Sequence, residues 1–312
     1  MYACQGGHSE IVQYLINAKA NINQSGRDGL TPLIVACKNG LVEIVKLLVA
    51  NGANCYQVDG TRKTPLFFAC QEGKVSIVHC LINYKNIVEQ PDTNGFTPLI
   101  ASIKGDYIEI VVALINGGAN MNNNENHGWT PLRIACNKEN KSIIQKLLEL
   151  NADVDKADSE GWTPLKSACR NNFKEIVDIS LLYKADVDKA DNDGWSPLMS
   201  ACHKGNTDIA LTLLNNNACI DNNNENGRTA LGVACYNGQS EIESLLIEFA
   251  ADVNVVDKYG NTPIKTASAG ARKNSEIQIN KEYKKTVEIL IKNRADVNKS
   301  DNDGWTPLME AC

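Results

Sequence analysis

Gly29-Leu-Thr-Pro-Leu-Ile-Val-Ala-Cys-Lys-Asn-Gly40 carries both a start and a stop signal for one short helix. Thr31 suits the N-cap, because its hydroxyl can accept a hydrogen bond from an orphan helix amide. Pro32 falls at the first helical position, where a missing N–H costs nothing. Leu33, Ala36 and Cys37 stand at i, i+3 and i+4, which predicts one apolar stripe. Gly40 suits the left-handed residue that stops a helix. A second helix is expected over Val42-Glu-Ile-Val-Lys-Leu-Leu-Val49, with Ile44, Val45, Leu47 and Leu48 buried and Lys46 outward. Gly52, matched by Gly118, Asn151 and Asn217, suits a left-handed exit. Polar stretches such as Asp155-Lys-Ala-Asp-Ser-Glu-Gly161 then read as a turn or hairpin finger.

The Thr-Pro-Leu of this segment returns every 33 residues, beginning at Thr31, Thr64, Thr97, Thr130 and Thr163. It continues as Ser196-Pro197-Leu198, Thr229-Ala230-Leu231 and Thr262-Pro263-Ile264, and a last copy at Thr306 arrives about 11 residues late. Self-similarity at this period predicts stacked units instead of one closed core. Helices of two or three turns are marginal alone, so each unit must draw its stability from its neighbours. The expected fold is all-α, a helix-pair solenoid. It has about eight complete units from 1 to 312, a partial unit at each end, and an insertion near 271–282 between the two helices of one unit. Such an insertion reads first as a tolerated surface feature and second as a carrier of function.

This pattern resembles the ankyrin repeat over essentially the whole chain. The resemblance rests on the period, on Asp191-Asn-Asp-Gly-Trp-Ser-Pro-Leu-Met-Ser-Ala-Cys202 and on Asn151-Ala-Asp-Val-Asp155. It implies a β-turn or hairpin finger in each unit. Three departures stand out. The family's His after Thr-Pro-Leu is absent; Ile34, Phe67, Ile100, Arg133, Lys166, Met199, Gly232, Lys265 and Met309 hold its place. The hydrogen bond by which that His ties neighbouring fingers is therefore lost. Asp106 and Glu139 replace the inter-helix Gly. The unit ending at Lys85-Asn86-Ile87 lacks the usual Gly-Ala-Asp, which predicts a looser junction there.

Composition narrows the function. The net charge of −6 over 312 residues argues against nucleic acid as the main partner. No apolar run approaches the length of a membrane span, and Met1-Tyr-Ala-Cys-Gln-Gly-Gly-His has neither the basic start nor the apolar stretch of a secretory signal. Asn is abundant in the fingers, as at Asn122-Asn-Asn-Glu-Asn126, where it accepts turn geometry. Met1-Tyr-Ala-Cys aligns with Met199-Ser-Ala-Cys and Met309-Glu-Ala-Cys, so Met1 sits where an internal Met belongs and the last helix is cut at Cys312. The ends therefore read as those of a fragment of a longer array.

Of the 11 cysteines, Cys4, Cys37, Cys70, Cys136, Cys169, Cys202, Cys235 and Cys312 share one repeat position. Equivalent positions of stacked helices lie about 10 Å apart, too far for a disulfide or for one metal ion. Buried, reduced, metal-free thiols are expected, and with them a reducing, cytoplasmic setting. The four His are scattered, and no catalytic or phosphate-binding motif is present. No enzymatic activity, cofactor or small-molecule substrate is expected.

All four Trp occupy the position just before the helix cap: Trp129, Trp162, Trp195 and Trp305. The resemblance implies that this finger position, the residues before the finger Gly and the residues after Ala-Cys face a concave groove that contacts partners. The implied binding patch is Trp129, Trp162 and Trp195, flanked by Glu160 and Asp193, with Lys138, Arg170, His203 and Lys204 on the inner helices. Trp is a favoured interface anchor; the competing reading is that duplicated indoles merely pack between fingers. The function expected is a protein-binding scaffold. The alternatives are a regulatory or targeting segment of a larger enzyme (a kinase, phosphatase or ubiquitin-ligase subunit) and a structural membrane–cytoskeleton adaptor.

Overall fold

The computed structural model describes residues 1–84, 86–273 and 277–312. Two compact units are present, Met1–Ser159 and Glu160–Cys312. Both alternate short inner helices, such as Pro32–Asn39 and Pro164–Asn171, with outer helices, such as Val42–Ala50 and Lys174–Leu182. No strand occurs among the described residues beyond one isolated bridge, Asn223 to Thr229.

The expected caps form. Thr31 Oγ1 accepts from Ile34 N at 3.2 Å, Thr163 Oγ1 from Lys166 N at 3.1 Å and Ser196 Oγ from Met199 N at 3.2 Å. Gly40, Gly52, Gly118, Asn151 and Asn217 have positive φ. Asp106 and Glu139 adopt the left-handed conformation of the Gly they replace, at φ 64° and 54°, which costs an L-residue about 1–2 kcal/mol.

Burial departs from the single stripe. Pro32 through Cys37 are all buried, and so are Pro164 through Cys169. Within each unit an inner helix packs against neighbouring inner helices and against its own outer helix, which leaves only its last residues, such as Lys38, Asn39, Arg170 and Asn171, exposed to water. The outer helices keep one wet side: Ile44, Val45 and Leu48 are buried, but Leu47, expected in the core, is only half-buried. Burial of the inner helix encloses Arg133, Lys166 and Lys265, which are 6%, 1% and 4% exposed. Each is paired with the finger acid that follows it, Arg133 with Asp158, Lys166 with Asp191 and Lys265 with Asp301 at 2.6 Å. At these three of the positions where the family has His, the inner helix is tied to the next finger by a buried ion pair.

Neighbouring fingers are also joined by their backbones. Asn192 N donates to Glu160 O at 3.1 Å and Glu225 N to Asp193 O at 2.9 Å. This approach demands Gly194, at φ 78°, because a Cβ there would lie 2.9 Å from Asn224 Cα. The insertion lengthens both helices of its unit, giving Pro263–Lys273 and Ile277–Lys292; its residues 274–276 lie outside the described residues. The expected loose junction falls partly on Lys85, also outside them; Ile87 and Val88 beside it are buried.

From Cys4 to Cys235 the cysteine row is buried, whereas Cys312 is exposed; all described cysteines are free. Burial pushes the Cys136 thiol up to about 12, partly opposed by Arg133. No cluster of three or more metal-ligating side chains occurs among the described residues, and no helix there is long and apolar enough to cross a membrane. One buried group has no place in the repeat pattern. Glu243, on Ser240–Glu248, is fully buried, and neither its carboxyl oxygens nor the buried Thr286 Oγ1 finds a hydrogen bond of good geometry. Burial raises the carboxyl to about 8, with only partial opposition from Thr286.

Three outcomes are expected. A bulky thiol reagent should modify Cys219 and Cys312 rapidly and Cys37, Cys70, Cys136, Cys169, Cys202 and Cys235 only on unfolding, as mass spectrometry would show. Asp191→Asn keeps an acceptor for the finger amides but leaves the Lys166 charge buried without a counter-charge, at a cost of about 3 kcal/mol by denaturant unfolding. Adding Lys166→Met, which copies the Met199 and Asn224 of the next unit, should recover most of that loss. Glu243 keeps its proton in the folded state after the unfolded chain has released its own, so stability falls as pH rises from about 4.5 to about 8, by several kcal/mol. Glu243→Gln should flatten this slope; an unchanged slope would show that another group causes it.

Candidate functional site

The finger of Trp195 is organised by one carboxylate. Asp191 Oδ1 accepts from Asp193 N at 3.1 Å and from Trp195 N at 2.8 Å, while Asp191 N donates to Trp195 O at 3.1 Å. Its second oxygen holds Lys166 Nζ on the inner helix before it. One side chain thus closes the turn, aims the indole and locks the finger to the helix row. Burial lowers the Lys166 pKa, and Asp191 opposes that shift.

Beside this pair lies an open cavity of about 260 Å³ within Glu160–Cys312. Of the residues expected from sequence, Glu160, Trp162, Arg170, Asp193, Trp195 and His203 all line it. Sequence reasoning missed Lys166, Asp191 and Ser200, which complete the lining. The signal for the first two was present: a cation stands in the family's His position and a finger acid stands five residues before the next cap. Lys204 is exposed and does not line the cavity. Trp129 and Lys138 belong to Met1–Ser159. There Trp129 is half-buried, with Arg133 Cζ 4.4 Å from its ring, and Lys138 Nζ donates to Lys104 O.

Both indoles of the cavity are half-buried and braced. Lys166 Nζ lies 4.0 Å and Arg170 Cζ 5.0 Å from the Trp162 ring, which fixes the indole and uses its negative face. His203 meets Trp195 edge to face at 5.7 Å. Burial lowers the His203 pKa, and Lys204 and Arg170 lower it further, so the imidazole is neutral at pH 7. The carboxylate of Asp191, buried in the cavity wall, is committed to Lys166 and the turn. The arrangement offers aromatic surface and fixed charges on rigid supports, which suits binding.

Comparison with known proteins agrees with this architecture. The family described as "Ankyrin repeats (3 copies)" matches residues 1–59, 54–125, 81–158, 104–191, 134–224, 177–257 and 217–279, and "Ankyrin repeats (many copies)" matches 276–312. No curated protein matches the chain. Among solved structures, the ankyrin repeat domain of Bcl-3, described as a unique member of the IkappaB protein family, is similar at 28% identity with a TM-score of 0.63. That match covers 67% of this chain and 95% of the Bcl-3 domain. Repeats of this kind generally serve protein–protein interaction and form a non-catalytic scaffold. With family matches running from its first residue to its last, the chain belongs to the ankyrin-repeat family.

Proposed function

We propose that this chain is a protein-binding scaffold, without cofactor or catalytic activity, that holds its partner against the finger and inner-helix groove containing Trp162 and Trp195. The observation that carries the reading is the open cavity in which both indoles stand beside the carboxylates of Glu160 and Asp193 and the Arg170 guanidinium. Half-buried aromatic groups on braced supports lose little entropy on binding, and flanking charges set register and specificity. In Met1–Ser159, Trp129 and Lys138 are the matching candidates, and Lys204 extends the basic side of the inner helices. Nucleic acid is disfavoured as a partner by the net charge of −6. The free, buried thiols suit a reducing, cytoplasmic setting.

Partners captured by affinity purification and identified by mass spectrometry supply the assay. In Trp162→Ala and Trp195→Ala, loss of a binding anchor should weaken partner affinity about thirtyfold or more. An indole that only braces its own finger should instead lower the melting temperature and leave the affinity of the folded protein unchanged. Reduced stability with undiminished affinity in both variants, and in Trp129→Ala, would exclude the groove.

A further inference from the structure

We propose that the groove contains a subsite for one cationic side chain, a lysine or arginine of the bound protein, between the Trp195 indole and the Asp193 carboxylate. This rests on the reading of the groove as a protein-binding face and adds the chemistry that the partner brings to it.

The inference comes from comparing repeats within the chain. The aromatic residue before the cap is repeatedly covered by a cation of the chain itself. Lys104 Nζ lies 3.8 Å from the Phe96 ring, Arg133 Cζ 4.4 Å from Trp129 and Lys166 Nζ 4.0 Å from Trp162. For Trp129 and Trp162 the cation stands four residues after the indole. The residue in that place after Trp195 is Met199, fully buried and neutral. The finger acid that would hold such a cation is replaced as well: where Lys166 has Asp191, Met199 has Asn224 at the corresponding position. Cation and counter-charge are therefore missing together, while the indole remains. Among the described residues no cation lies over Trp195; its ring neighbour is the edge-on His203.

The surrounding charge favours a cation from outside. Lys166 and Asp191 are paired, and Asp193, which also lies in the field of Lys166, brings a further carboxylate to the cavity wall beside the Arg170 guanidinium. Arg170 is already placed, 5.0 Å from the Trp162 ring. The Asp193 carboxylate accepts no hydrogen bond among the described residues, yet its backbone is pinned on both sides, by N–H to Asp191 Oδ1 and by C=O from Glu225 N. A carboxylate carried on a pinned backbone, lining the same cavity as an indole without its own cation, is the pairing that a lysine or arginine side chain completes: its charge lies on the negative ring face and its donors reach the carboxylate.

The test uses small probes, so it does not depend on knowing the partner. Protein with ¹⁵N-labelled tryptophan is titrated at low salt with N-acetylarginine methylamide, N-acetyllysine methylamide and the neutral N-acetylnorleucine methylamide. The Trp195 indole resonance, assigned by its loss in Trp195→Phe, should shift saturably with the two cationic probes and not with the neutral one. Asp193→Asn, an exposed position, should weaken the response about fivefold. Met199→Lys combined with Asn224→Asp, which installs the pair that Lys166 and Asp191 form, should abolish it; an unchanged melting curve would show that this variant folds. An equal response to the norleucine probe, a shift confined to Trp162, or a response undiminished in Asp193→Asn would overturn the proposal. A negative result leaves the groove standing as a partner site. Failure of that broader reading would appear separately, as partner affinity indifferent to Trp162→Ala and Trp195→Ala while the probe response persists.

Discussion

A helix of seven or eight residues has no stability of its own in water. In this protein the remedy is to enclose it: an inner helix such as Pro32–Asn39 is packed by inner helices before and after it and by its outer helix, until Pro32 through Cys37 are all buried. The rest of the structure follows from that enclosure. It requires small residues where helices meet, hence Ala and Cys at fixed places in unit after unit. It also requires that any charge at an inner-helix position be neutralised within the row.

Lys166 shows how the second requirement builds a site. An unpaired ammonium at 1% exposure would be untenable, so the following finger supplies Asp191. That carboxylate also receives the amides of Asp193 and Trp195 and so dictates the turn. The Trp195 indole and the Lys166 charge are thus tied to one carboxylate, although the turn itself needs only an Asp or Asn there, as Asp92 and Asn224 show. The same cation lies against Trp162, so the pairs that brace the fingers also decide which aromatic faces remain available.

Glu243 obeys the enclosure rule differently. It too is fully buried, but among the described residues no cation pairs with it, and burial shifts its titration to about 8, so that it stays neutral at pH 7. A pair resolves a buried charge by Coulomb attraction, and a raised pKa resolves it by protonation. The first leaves stability insensitive to pH near neutrality and the second makes it sensitive.

Much of this was legible in the chain because the signals are local and repeated. Thr or Ser before Pro, the left-handed stops and the finger glycines act within a few residues of themselves, and a 33-residue period multiplies each one. The burial of Cys4 to Cys235 was accessible on the same ground, since equivalent positions share an environment, whereas Glu160, Trp162, Arg170, Asp193, Trp195 and His203 came from the resemblance to the ankyrin repeat, and these six line one cavity. What local pattern could not express was everything that depends on a neighbouring unit. An i, i+3, i+4 stripe describes one buried face, and only stacking buried the others. Lys166 has no partner nearby in sequence, and its counter-charge comes from the finger 25 residues later. The missing cation over Trp195 becomes visible only when its repeat is laid beside those of Trp129 and Trp162. The sequence by itself determined the period, the helices, their caps and the fold family, because those are set by short-range backbone chemistry. The tertiary structure alone decided which charges are paired, which carboxyl stays protonated and which indole is left without a cation, because each is settled by contacts between residues far apart in the chain.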